Sequence, residues 1–108
     1  ALYLGNNDNP YVALISAKSE DITNCTISDK CKVIVEYAFR DCKGLKSVTI
    51  PDSVTSIGEF AFRGCSGLKE IYFNGIKSQW KAISKGDYWY ADVPSSCKVI
   101  CTDGTISL

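Results

Sequence analysis

A 23-residue unit is written twice in the middle of this chain. Residues 34–50 read IVEYAFRDCKGLKSVTI and residues 57–73 read IGEFAFRGCSGLKEIYF. Ala38, Phe39, Cys42, Gly44, Leu45 and Lys46 recur as Ala61, Phe62, Cys65, Gly67, Leu68 and Lys69, at a constant offset of 23. A fixed period in the twenties is the mark of a solenoid, in which each repeat is one coil stacked on the last. A degenerate earlier copy emerges on stepping back by the same offset: Leu45 maps to Ile22, Val48 to Cys25, Ile50 to Ile27, Val54 to Cys31 and Ile57 to Ile34. The Ala-Phe-x-x-Cys segment is missing there, with Ser16 and Ser19 at the Phe and Cys positions. Terminal repeats are commonly atypical in this way.

The chemistry within one unit predicts its path. Leu45, Val48 and Ile50 are apolar while Ser47 and Thr49 are polar. The alternation around Val48 is the period of a half-buried strand. Pro51-Asp52 stops it, because proline cannot donate to a ladder. Val54 and Ile57 return the chain to the core. Gly58 follows, and the segment Glu59 to Cys65 fits a short helical or 3₁₀ turn that Gly64 or Gly67 could end. Successive strands would stack in parallel at about 4.8 Å.

The flanks differ from the array at residues 21–75. In residues 1–20, Leu2-Tyr3-Leu4 and Tyr11-Val12-Ala13-Leu14-Ile15 are strand-like, and the intervening Gly5 to Pro10 segment is rich in turn formers. This predicts a hairpin covering the first coil. In residues 76–108, Ile76, Trp80 and Ile83 have the i, i+4, i+7 spacing of a short amphipathic helix, with Ser78 near its start. Gly86-Asp87-Tyr88-Trp89-Tyr90 reads as an aromatic loop and Cys97 to Cys101 as a last strand, with a final turn at Asp103-Gly104. The part reads as a cap for the other end.

Composition narrows the function. The 108 residues suit one small domain, and 45% are hydrophobic, enough for a core of modest stability. Lys plus Arg and Asp plus Glu both number 12, and nothing forms a basic stripe, which argues against nucleic acid as partner. No apolar run approaches the roughly 20 residues of a membrane span, so no membrane insertion is expected of this stretch. Methionine is absent, which suggests a mature fragment or an excised domain. Histidine is absent too, removing the commonest general base, metal ligand and triad partner.

The remaining signatures of chemistry weigh little. Cys42 and Cys65 are repeat positions one coil apart, where buried reduced thiols are the simplest reading. Their Cα atoms would lie about 5 Å apart, near disulfide range, but with parallel Cβ vectors. Cys25 aligns with Val48 and Ile71, and Cys31 with Val54, so both read as core. Cys97 and Cys101 on one strand would lie about 13 Å apart, too far to bridge. Zinc would call for Cys-x₂-Cys pairs and often His. Glu36 and Glu59 stack on the outside, which is more simply a solvated face than an acid/base pair. There is no Gly-x-Ser-x-Gly and no phosphate loop. The Asn24-Cys25-Thr26 sequon carries little weight. No catalytic residue, metal or cofactor is expected.

The run from Leu45 to Cys65, LKSVTIPDSVTSIGEFAFRGC, resembles the BspA-like leucine-rich repeats, whose pattern is roughly Leu-x-x-Ile-x-Ile-Pro-x-x-Val-x-x-Ile-Gly-x-x-Ala-Phe-x-x-Cys. The likeness covers residues 32–73 well and 21–31 weakly, and Phe73 to Ile83 is similar to segments that follow the last repeat in such proteins. The resemblance implies an α/β fold: a short leucine-rich-repeat-like right-handed solenoid with a parallel strand face and capping segments. It also implies a non-enzymatic module of secreted or cell-surface bacterial proteins, associated with adhesion and with binding host or matrix proteins. The family motif brings no catalytic residues, and this array is short for the family.

Two surfaces are therefore candidates. The outward strand residues Asn24 and Thr26, Ser47 and Thr49, and Glu70 and Tyr72 would stack as two ladders on a concave face, a recognition strip in which only Tyr72 resembles an anchor. Tyr88, Trp89 and Tyr90 could form a platform for a glycan; sealing the solenoid end is the plainer role. On an extended chain the three cannot all face one way, so at least one should be exposed, while Trp80 reads as the core residue of its helix. The expected function is protein binding or adhesion without catalysis. The alternatives are a structural spacer or capping domain of a larger surface protein, or a carbohydrate-binding module using the C-terminal aromatics. A weak homo-oligomer could form through an imperfectly capped coil end.

Overall fold

A computed structural model describes residues 2–5, 13–16 and 22–108 of the chain. Strands dominate it. Among the described residues they are β1 (Leu2–Leu4), β2 (Ala13–Ser16), β3 (Asn24–Thr26), β4 (Val33–Ile34), β5 (Ser47–Pro51), β6 (Ser56–Ile57), β7 (Glu70–Asn74), β8 (Ser84–Lys85), β9 (Lys98–Cys101) and β10 (Gly104–Ser107), with one helix, α1 (Lys77–Ala82), before β8. They form two sheets, β1-β2-β4-β6-β8 and β3-β5-β7-β9-β10. Every pair is parallel except the hairpins β1–β2 and β9–β10. This is an α/β repeat fold whose chain alternates between the two sheets. The turn at residues 6–10, the start of the second hairpin strand at Tyr11 and Val12, and Ser19 lie outside the described residues.

The register follows the 23-residue offset. Cys25 lies beside Val48, and Val48 beside Ile71. In the first sheet Ile34 lies beside Ile57. The residues at the inward positions are sealed: Leu45, Val48, Ile50, Ala61, Phe62, Cys65, Leu68 and Ile71 are all 0% exposed. The ladders then outrun the period. Ile57 pairs with Lys85, and Ile71 with Val99, an offset of 28. The extra length is taken up by α1 at the corner between β7 and β8.

The segment from Glu59 to Cys65 forms no helix, contrary to the expected helical or 3₁₀ turn. The N–H groups of Ala61, Arg63 and Cys65 close i→i−3 turns on Gly58, Phe60 and Phe62. The N–H groups of Phe60, Phe62 and Gly64 instead reach the next repeat, at the carbonyls of Asp87, Trp89 and Ala91. One repeat earlier, Tyr37, Phe39 and Asp41 donate in the same way to Glu59, Ala61 and Arg63. Alternating donors thus create a third ladder. The conformation this requires is left-handed at Tyr37, Phe60 and Tyr88 (φ 60°, 55° and 55°) and again at Asp41, Gly64 and Asp92 (58°, 80° and 65°). Non-glycine residues accept that strain only where the surroundings impose it, and here the three ladder bonds made from one repeat are made again from the next.

Two side chains near α1 depart from the helical pattern. Ile76 is 44% exposed because it precedes the first turn instead of packing beneath it, whereas Trp80 is buried. The Gln79 side chain accepts from the Ile76 N–H at 2.9 Å, and Asp103 accepts from the Lys77 N–H at 2.8 Å. The second contact ties the helix to the β9–β10 hairpin and supplies an acceptor to an otherwise open helix end. Lys85 occupies the inward position held by Ile34 and Ile57. Its ammonium turns back onto the carbonyls of Trp80 (2.6 Å) and Ile83 (3.2 Å) and lies over the Trp80 ring. Desolvation holds its pKa below the ordinary lysine value.

All six cysteines are free thiols, and all but Cys25 are buried. Desolvation pushes up the pKa of Cys25, Cys31, Cys65, Cys97 and Cys101, that of Cys65 to about 12, with Cys42 beside it adding to the effect. In an unfolded chain a cysteine thiol ionises at about 8.5. Between that pH and their native values the folded state holds more protons than the unfolded one, so stability is complete below about pH 8 and declines as pH rises, by up to about 1.4 kcal/mol per pH unit for Cys65. The urea midpoint under reducing conditions should therefore be lower at pH 10 than at pH 7. The decline should be shallower in Cys65→Ala. Equal midpoints at the two pH values would contradict this account.

Candidate functional site

The outward residues of the second sheet fall into two rows, because residues two apart on a strand share a face. Asn24, Ser47, Glu70 and Lys98 lie side by side in one row, and Thr26, Thr49, Tyr72 and Ile100 in the other. All six residues expected on this strip are thus in register. The first row is knit laterally: Ser47 donates to Asn24 Oδ1 at 2.5 Å. The Tyr72 hydroxyl crosses between the rows to donate to Glu70 Oε2 at 2.5 Å, and that hydrogen bond raises the phenol above its ordinary pKa. The rows are neutral and small at the β3 end. At the β9 end they carry a carboxylate, an ammonium, an exposed tyrosine and an isoleucine.

The three aromatics of the C-terminal loop separate. Tyr88 is 70% exposed and Tyr90 41%, but Trp89 is only 7% exposed. Trp89 packs edge-on against Phe62, Trp80 and Tyr90 at 6.0, 5.7 and 4.9 Å between ring centroids. It belongs to the core, so Tyr88, Trp89 and Tyr90 do not present one common face, and Trp89 takes the plainer role of closing the core. Tyr88 instead heads another column. It stacks on Phe60 at 5.6 Å, and Phe60 stacks on Tyr37 at 5.4 Å. The guanidinium groups of Arg63 and Arg40 lie over the Phe60 and Tyr37 rings, each at 5.6 Å.

The recurrence of these positions agrees with what a family comparison finds. The family model for the BspA type leucine rich repeat region (6 copies) matches residues 16–101. The chain belongs to the BspA-type leucine-rich-repeat family. No curated protein and no solved structure matches it.

Between the two clear units of this chain the inward strand positions stay apolar, whereas the outward strand positions change: Ser47 lies beside Glu70 and Thr49 beside Tyr72. The match runs through residues 84–101, where the ladders also continue. A strict offset of 23 from Glu70 and Tyr72 lands on Val93 and Ser95, so the repeat does not point to Lys98 and Ile100, which continue the two rows on β9. The polar–apolar alternation of Lys98-Val99 was their only signal. The exposed column was missed as well, although Tyr37 and Phe60 hold the same place in their units. An open groove of ≈ 200 Å³ lies between α1 and the corner after β5, lined by Asp52, Val54, Thr55, Gln79, Ala82 and Ile83. Among the described residues no group of three or more His, Cys, Asp or Glu side chains is arranged to hold a metal ion, and no helix is long and apolar enough to cross a membrane.

Proposed function

We propose that this chain is a non-catalytic protein-binding module of a secreted or cell-surface bacterial protein, with host or matrix proteins as its partners. The reading includes a right-handed solenoid as its geometry, with the repeats at residues 21–75 at its centre, the 1–20 hairpin over one end and residues 76–108 over the other. In-register parallel pairing on both sheets supports the winding. The observation that carries the function is the clustering of Glu70, Tyr72, Lys98 and Ile100 on adjacent strands of one face. An exposed aromatic flanked by opposite charges and an aliphatic side chain is the composition of an interface hot spot.

The test is surface plasmon resonance of the chain over a panel of immobilised matrix proteins. Any partner bound by the parent should lose at least about tenfold in affinity with Tyr72→Ala or Glu70→Ala, while the thermal midpoint stays unchanged. Full affinity in both variants would remove this face from the function. Exposure of Tyr88 at the head of its column favours carbohydrate binding as a second reading. Glycan-array signals abolished by Tyr88→Gly, a substitution suited to φ 55°, would support it. A spacer role requires that neither assay give binding.

A further inference from the structure

The two hairpins sit at opposite ends of the array and on opposite sheets. At the N-terminal end, among the described residues, the first sheet gains one extra strand, β1, while the second sheet ends at β3. At the C-terminal end the second sheet gains one extra strand, β10, while the first ends at β8. Each end is thus a step one strand high, about 4.8 Å, and the steps are complementary. Placing the N-terminal end of one copy on the C-terminal end of another brings β1 against β8 and β3 against β10. Strand direction is satisfied at both contacts. β1 runs opposite to β2, and β2, β4, β6 and β8 run together, so β1 meets β8 antiparallel. β10 runs opposite to β9 and hence to β3, so that pair is antiparallel as well.

The edge strands lack the usual guards. Charged side chains and proline normally keep an exposed edge from pairing. Leu2-Tyr3-Leu4, Asn24-Cys25-Thr26 and Gly104-Thr105-Ile106-Ser107 contain neither. The one charge on the four edge strands belongs to Lys85, and its ammonium is committed inward to the Trp80 and Ile83 carbonyls. Leu4 is 63% exposed on β1. The third ladder ends open too. The N–H groups of Tyr88, Tyr90 and Asp92, counterparts of the donors at Phe60, Phe62 and Gly64, find no acceptor among the described residues. Three parallel donors on the C-terminal end oppose its meeting a second C-terminal end, which would set donor against donor.

We propose that this chain stacks head to tail on a second copy of itself, with β8 and β10 of one copy pairing antiparallel with β1 and β3 of the next. The contact uses two different surfaces and does not close, so it propagates. Sedimentation velocity of the full chain, from about 1 μM to about 1 mM, should give a weight-average mass that climbs past twice the 11.8 kDa of one chain. Thr105→Pro on β10 and Leu4→Pro on β1 place proline on edge strands at opposite ends, and each alone should weaken association at least about tenfold. An equimolar mixture of the two retains one intact junction and should form a two-chain complex that grows no further. Where a melt shows that a proline variant does not fold, Thr105→Lys or Leu4→Lys takes its place, adding charge at an exposed position. A parent that stays monomeric at the highest concentration overturns the proposal. So does a folded single variant that associates as strongly as the parent, or a mixture that associates no better than its components.

Discussion

Phe62→Ala should cost about 3–5 kcal/mol of stability, the usual range for truncating a fully buried aromatic. Phe62 is 0% exposed, stacks on Phe39 with ring centroids 4.8 Å apart, and meets the edge of Trp89 on its other side. The side chain therefore joins three successive repeats through one internal column. Its loss opens a void between layers that are held in place by backbone bonds to both neighbours and cannot collapse. A chain of this length has about 5–15 kcal/mol of net stability in all, so the variant should be largely unfolded or close to it at physiological temperature. Urea denaturation followed by tryptophan fluorescence reads this directly, since Trp89 lies against the deleted ring. A loss below about 1 kcal/mol would mean that the column is not what holds the repeats together.

Gly58→Ala should be about as damaging, through the opposite cause. A methyl group at Gly58 would overlap the backbone nitrogen of Glu36 and come within 2.7 Å of the Val35 carbonyl carbon. Backbone atoms cannot swing aside as a flexible side chain can, so the two repeats must separate locally. Overpacking commonly costs about 1–3 kcal/mol, and a clash between two main chains belongs at or above the top of that range. Gly86 stands in the same relation to Glu59, so Gly86→Ala should repeat the effect one layer on. The check is a pair of thermal melts together with amide exchange. In Gly58→Ala the N–H groups of Tyr37 and Phe39, which bond to Glu59 and Ala61, should lose protection first. A midpoint within about 2 °C of the parent would show that the layers have slack.

These two positions also show what the sequence could reveal. Phe62 stands out because the unit recurs, with Phe39 in the same place, whereas the place of Gly58 is held by Val35 one repeat earlier; a period combined with polar–apolar alternation assigns a side to every residue of the repeated strands. Val48, Ile50, Val54, Ile57 and Cys65 are all sealed where that reasoning put them. The same logic set Asn24, Ser47 and Glu70 in one row, and Thr26, Thr49 and Tyr72 in the other. What it could not reach has physical causes. The third ladder depends on left-handed backbone at Tyr37 and Phe60, for which aromatic residues give no warning. Trp89 fills the place of the small Ala61 because Trp80 and α1 remodel the end of the core around it, and residue type alone does not announce that exchange. Lys85 holds an inward position because its ammonium finds carbonyls on the helix. The inserted turn of helix also shifted the count, so Lys98 and Ile100 fell out of phase with the rows they complete.

The corner between β7 and β8 carries a consequence for how such a chain can change. The stretch from Pro51 to Ser56 and the longer one from Asn74 to Ser84 join equivalent strands, and pairing resumes in register after both. The ladders are therefore indifferent to the length of this outer connection as long as its two anchors stay in place. It is a grafting position. New loops, and with them new specificities, can be added there while the strand rows and the buried column keep their spacing.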